Sequence, residues 1–446
     1  MFQDEYRRKL VSAEEAVKCV KSGDIVDYGF FNGKPVLCDQ ALAKRTELRD
    51  VKVYCAVTIP PVPEVAKVRD SFTYHDWQFS KIARVLQSFG LCYYSPILYH
   101  QAPSLYRDGI APHRNVAMIR VCPMDKNGWF NLGPQNSETM ANVEAADYVV
   151  IEVNKSIPVC LGGAEESVHI SQVDYIVEAH DDDILPDIPG AVPSEADKEI
   201  ARHIMEYVHD GSCIQLGIGG MPNAVGKMIA DSDLKDLGGH SEMVVDAYMD
   251  MMESGRMNGH AKRIDRNRVA YTFAIGSHKL YEYMNNNPAF ASYPVNYTND
   301  PRIISQLDNF VSINNCVEID LYTQINAESK GPIQISGNGG MWDFVLGAQF
   351  SKGGKSFLCM TSSYRDKEGN LHSRIVPTFT PASIITIPRQ QVDYIVTEFG
   401  AVQMRGKPTW HRAEKLIELA HPQFRDDLIK EAEKLNIWRK TNKTDV

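Results

Sequence analysis

The segment Leu237-Gly238-Gly239-His240-Ser241-Glu242-Met243 sets a carboxylate among small and hydroxyl-bearing residues. Ser241 can cap a helix running through Val244, Val245, Tyr248 and Met249. Glu242 then falls in the first turn, where the helix dipole favours negative charge. A glutamate in that place is either a plain helix-start residue or a nucleophile able to attack a carbonyl carbon.

Three glycine-rich segments invite a ligand reading. Gly217-Ile218-Gly219-Gly220-Met221-Pro222-Asn223 follows a predicted strand and precedes a helical run, but Pro222 stands where a dinucleotide fingerprint needs its third glycine. What survives is a strand-to-helix turn whose free N–H groups can meet an anion. Ser336-Gly337-Asn338-Gly339-Gly340-Met341-Trp342-Asp343-Phe344 can aim N–H groups at an oxyanion, or be a tight turn. Ser351-Lys352-Gly353-Gly354-Lys355-Ser356 ends like a phosphate loop yet has Gln349 where the upstream glycine belongs, so a hairpin tip is the plainer reading.

The elements that must position these residues come in two echoing sets. Ser12-Ala13-Glu14-Glu15 opens a helix that stops at Ser22-Gly23-Asp24, ahead of the strand Ile25 to Phe30. Ser194-Glu195-Ala196-Asp197 opens another that stops at Asp210-Gly211-Ser212, ahead of Cys213 to Gly217. The apolar runs around Tyr148 to Val153 and Tyr394 to Thr397 suit strands buried on both faces. Between the sets lies the acidic, proline-bearing stretch Asp181 to Gly190. The expectation is an α/β protein of two similar domains, 1–185 and 186–446, each with a mostly parallel sheet and with the site between them.

A chain of 446 residues with net charge -10 has no basic surface for nucleic acid, and its N-terminus carries no apolar leader. No stretch approaches the roughly 18 apolar residues of a membrane span. A cytoplasmic location is expected. The nine cysteines are scattered without a C-x-x-C pair or a zinc-like cluster, so no metal site is expected.

Gly-x-His-Ser-Glu, about twenty residues after Gly-Ile-Gly-Gly-Met-Pro-Asn, resembles the class I coenzyme A transferases, in the branch that contains 4-hydroxybutyrate, butyryl-CoA:acetate and acetyl-CoA hydrolase/transferase proteins. The likeness runs in order through Ser22 to Asp24, Pro123 to Gly128, Val168 to Asp174, Pro294 to Asn299, Ser336 to Phe344 and Val396 to Ala401. It implies that Glu242 is the nucleophile and that Gly219, Gly220, Met221, Pro222, Asn223, Val317, Gly340 and Ser362 contact coenzyme A. It also implies that Asn299, Glu398 and Gly339 support the site and that Asn299 and Glu398 steady the carboxylate.

In such an enzyme coenzyme A is a substrate carrier and no cofactor is tightly bound. The reaction passes through a glutamyl-CoA thioester, with oxyanion donors sought at Gly339-Gly340 and in the Gly29 to Gly33 loop. The segments Asp27 to Phe31 and Asp39 to Arg45 resemble the butyryl-CoA:acetate members, so butyryl-CoA and acetate are the favoured substrates, ahead of 4-hydroxybutyrate, propionate or simple hydrolysis. A non-catalytic ligand-binding α/β protein is the reading from another class. Met341, Trp342 and Gly220 depart from the family pattern, and Trp342 with Phe30 and Phe31 is expected to wall the acyl pocket. A homodimer is expected from the resemblance alone.

Overall fold

The computed structural model describes residues 2–439. Ser12 caps the helix Ala13–Ala16 by accepting from the Glu15 N–H, and the chain turns through Gly23, at φ 89°, into the strand Ile25–Phe30. The second echo repeats the device. Ser194 and Asp197 form a capping box at the head of the helix Glu195–Met205, and Gly211, at φ 75°, leads into the strand Cys213–Leu216.

Those two strands sit inside two sheets. The first has seven strands, in the order Tyr93–Tyr94, Phe72–Asp76, Val51–Ala56, Ile25–Phe30, Val116–Val121, Tyr148–Val153 and Tyr175–Glu178, all parallel. The second has six, in the order Gly238–Gly239, Cys213–Leu216, Phe310–Asn315, Lys355–Cys359, Tyr394–Thr397 and Gly400–Gln403. Only its last pair is antiparallel, a hairpin closing one edge. Every residue of Val116–Val121 is buried, as a strand covered on both faces requires. The acidic stretch 181–190 links the last strand of the first sheet to the helix Glu195–Met205 without regular structure, and the Arg120 guanidinium pairs with Asp183 at 2.5 Å.

Parallel sheets bind ligands beyond the carboxyl ends of their strands. Here both sheets turn those ends toward one cavity. Phe30-Phe31 and Trp77-Gln78 end or follow strands of the first sheet, while Gly217-Ile218 and Asn314-Asn315 follow or end strands of the second. The halves are stitched beside it by the Ala274 N–H donating to the Pro134 carbonyl at 3.0 Å and by Ser137 N–H to Thr272 O at 3.2 Å.

Candidate active site

Glu242 does not begin a helix. It lies between the two-residue strands Gly238–Gly239 and Met243–Val244, and the next helix starts only at Asp246, with Val245 as a cap that makes no side-chain bond. The expected cap, Ser241, instead donates its hydroxyl to the Met243 carbonyl at 2.8 Å. Sheet pairing overrides the local helix signal. The Glu242 carbonyl accepts from Thr272 and Phe273 N–H at 3.0 and 3.1 Å, and Met243–Val244 pairs with Phe273–Ala274.

The half-buried Glu242 side chain enters a cavity of about 210 Å³ lined by Phe30, Phe31, Tyr99, Phe273 and Met341, together with the turn from Ser336 to Gly340. Asn299 Nδ2 donates to its Oε2 at 2.7 Å. The same nitrogen lies 3.4 Å from Oδ2 of the buried Asp343, whose Oδ1 meets His100 Nδ1 at 2.6 Å. Burial pushes the Glu242 carboxyl up to about 8. The Asn299 bond opposes that rise, the Asp343 charge adds to it, and the Gly340 N–H opposes it again. His240 is held neutral, its pKa lowered by burial to about 4, and its Nε2 donates to the Thr298 carbonyl at 2.7 Å, fixing the backbone just before Asn299.

The cavity gathers some of the expected residues and leaves others aside. Glu242, Gly339 and Gly340 line it, and Asn299 touches the carboxylate. A Cβ on Gly340 would lie 2.2 Å from both Asn299 Nδ2 and Glu242 Oε2, so glycine is needed for this approach. Gly219, at φ 122°, caps the helix Gly220–Ala230, and the preceding Gly217 and Ile218 reach the cavity. Met221 and Pro222 are buried in that helix, and Asn223 Nδ2 donates to the Ala191 carbonyl. Val317 pairs with the Asn326 carbonyl.

Three expectations are corrected. Glu398 does not hold Glu242. It accepts from Ser362 N–H and Oγ at 2.8 and 2.6 Å, so it organises one of the residues assigned to coenzyme A instead. Trp342 is not a wall of the cavity, for its ring stacks on His100 at 6.3 Å, and Phe273 and Met341 stand where it was expected. Three of the nominated oxyanion donors are engaged: Gly29 N–H with Asp27 at 2.9 Å, Gly339 N–H with Gln78 at 3.0 Å, and Gly340 N–H with Glu242 itself. The loop Ser351 to Lys355 is a turn between the helix Met341–Phe350 and the strand Lys355–Cys359, away from the cavity.

Sequence reasoning missed Gln78, Tyr99, His100, Phe273 and Asp343 as site residues. Asp343 stood inside a quoted motif and could have been singled out. The others carry no local signal, because long-range pairing alone brings them to Glu242. Among the described residues no three metal-ligating side chains gather, and no helix is long and apolar enough to cross a membrane.

Residues 1–189 match the family model described as the acetyl-CoA hydrolase/transferase N-terminal domain, and residues 276–432 match that of the C-terminal domain. A butyryl-CoA:acetate CoA-transferase of Anaerostipes caccae is 51% identical over 446 residues, covering 99% of this chain and 100% of the relative. A probable butyrate:acetyl-CoA coenzyme A-transferase of Syntrophomonas wolfei is 48% identical, covering 99% and 98%. Among solved structures, RipA from Yersinia pestis superposes with a TM-score of 0.90 at 35% identity, covering 98% of this chain and 100% of that one.

Proposed function

Because the chain belongs to the acetyl-CoA hydrolase/transferase family and is a CoA-transferase of the butyryl-CoA:acetate type, we propose that it exchanges coenzyme A between these acids through a glutamyl thioester on Glu242. The observation that carries the mechanism is the Glu242 carboxylate, bonded to Asn299 and facing an apolar cavity between the halves.

In that scheme a Glu242 oxygen attacks the butyryl-CoA carbonyl carbon, and the tetrahedral oxyanion collapses to an anhydride as the C–S bond breaks and CoA leaves as thiolate. The thiolate then attacks the glutamyl carbonyl, releasing butyrate and leaving CoA on the enzyme. Acetate enters and reverses both steps. No proton has to move, so the site needs an ionised carboxylate, donors for the oxyanion and a wall against water. Partial burial makes the carboxylate anion costly, and the same cost makes it reactive once formed. Gly217-Ile218 and the backbone ahead of the helix Gly220–Ala230 are suited to the pantetheine and phosphate end. The proposal also includes the coenzyme contacts at Gly219 to Asn223, Val317, Gly340 and Ser362, a cytoplasmic location and a homodimer, the last to be read by sedimentation.

Incubation with butyryl-CoA alone tests the mechanism. Intact-mass analysis should find CoA bound to Glu242, and borohydride should inactivate only the protein so loaded. Glu242→Ala should fold and lose turnover by on the order of 10³-fold or more. An adduct on another residue, or turnover retained by that variant, would overturn the assignment.

A further inference from the structure

Gly29, Gly339 and Gly340 N–H are already engaged, which turns attention to side-chain donors beside Glu242 for the oxyanion. Gln78 supplies one. Its Oε1 accepts from Gly339 N–H at 3.0 Å, which identifies that atom as the oxygen and leaves Nε2 as the nitrogen. Nε2 donates to no protein acceptor among the described residues, and Gln78 lines the cavity. A Cβ at Gly339 would lie 3.1 Å from Gln78 Nε2 and 3.3 Å from Glu242 Oε1, so both atoms face the same side of that glycine.

The side chain is also held rigidly, as electrostatic preorganisation requires. The buried Asp76 carboxylate collects Gln78 N–H at 2.8 Å and Phe79 N–H at 3.1 Å, and it takes Val57 and Thr58 N–H as well. Phe79 adopts φ 45°, an uncommon value for a bulky residue, which marks a segment shaped by its surroundings. Gln78 O accepts Gly337 N–H at 3.1 Å. The glutamine therefore clasps the Ser336 to Gly340 turn at two points while its amide nitrogen stays free.

We propose that Gln78 is a catalytic residue whose side-chain N–H donates to the acyl carbonyl oxygen as the tetrahedral oxyanion forms at Glu242. The electron pair of the carbonyl π bond moves onto that oxygen when Glu242 attacks and returns when the C–S bond breaks. Gln78 stabilises the charge without giving up its proton. The assignment rests on the glutamyl reading and gives the first half of the molecule a direct part in the chemistry.

Two variants separate the donor from the clasp. Gln78→Glu keeps an acceptor for Gly339 N–H and removes the donor, whereas Gln78→Ala removes both and adds no charge. The rate of covalent CoA capture from saturating butyryl-CoA is followed by rapid quench and intact mass, above pH 9 so that Glu242 is ionised throughout. Both variants should be slower by about 10²-fold, with KM for butyryl-CoA changed by less than about threefold. A wild-type rate in either variant, or a loss confined to KM, overturns the role of Gln78. If Gln78→Ala does not fold, the rate in Gln78→Glu decides. Absence of the adduct on Glu242 in the unmodified protein overturns the glutamyl mechanism instead, so the two failures are distinct.

Discussion

At the scale of single residues the site depends on how Glu242 is ionised. Its pKa, raised from 4.5 to about 8 by burial, means that the native state keeps a proton which the unfolded chain releases. The contribution of that group to stability is therefore full below about 4.5 and is lost as pH rises through about 8. Glu242→Gln carries no such titration, so its Tm should match that of the unmodified protein at pH 4 and exceed it at pH 9. Equal Tm differences at both values would contradict the burial argument. In the proposed mechanism activity runs the other way, since there only the carboxylate attacks. The kcat/KM should rise with pH and level off above about 8. The titratable groups facing Glu242 are Asp343, Tyr99 and, through Asp343, His100. Removing the Asp343 charge takes away one cause of the raised pKa, so Asp343→Asn should shift the acid limb toward lower pH. An unshifted limb would show that burial alone sets it.

At the scale of elements, the turn before the helix Met341–Phe350 is where backbone and side chain meet most tightly. Gly340 has φ −94°, which any residue can adopt, so alanine there is not barred by the backbone. The obstacle is the pair of polar ends that its Cβ would meet at 2.2 Å, Asn299 Nδ2 and Glu242 Oε2. Both can move aside, and the fold should survive. Gly340→Ala should keep its Tm within a few degrees and lose transfer by roughly 10²-fold, as an ångström-scale displacement of a reacting group does. Near-native turnover would show that the carboxylate tolerates relocation. Capping boxes and glycine stops made most such elements legible in the sequence, because those signals act within a few residues: Ser194 with Asp197 is an example. The start of the helix after Glu242 was not legible. Its competitor was a parallel pairing with Phe273–Ala274, some thirty positions away, which no local pattern announces.

At the scale of the whole molecule, the cavity proposed to take the acyl chain belongs to neither half alone. Phe30 from the first half packs against Phe273 from the second with ring centroids 4.7 Å apart, and stacks on Tyr99 at 5.5 Å. The two repeated halves were visible in the sequence, and so was Glu242 as a residue that the cavity receives. The apolar box was only half visible, because Phe30-Phe31 could be read while Phe273 and Tyr99 gave no sign of converging. The Tyr99 hydroxyl is already bonded to Ser137 Oγ at 2.6 Å, which in turn donates to Glu138, so it turns toward the core and not toward a guest. A butyryl chain lying against these rings loses nothing polar. A terminal hydroxyl in the same place would give up its water without a partner, at a cost of about 1 to 3 kcal/mol. Butyryl-CoA should therefore exceed 4-hydroxybutyryl-CoA in kcat/KM by about tenfold or more, with acetate as acceptor. Phe31→Ser, which places a hydroxyl on the wall, should narrow that ratio by lowering the butyryl value more than the hydroxylated one. Equal values for the two donors in the unmodified protein would mean that the chain extends away from the aromatic box, toward Asn314 and Asn315 at the carboxyl end of the strand Phe310–Asn315.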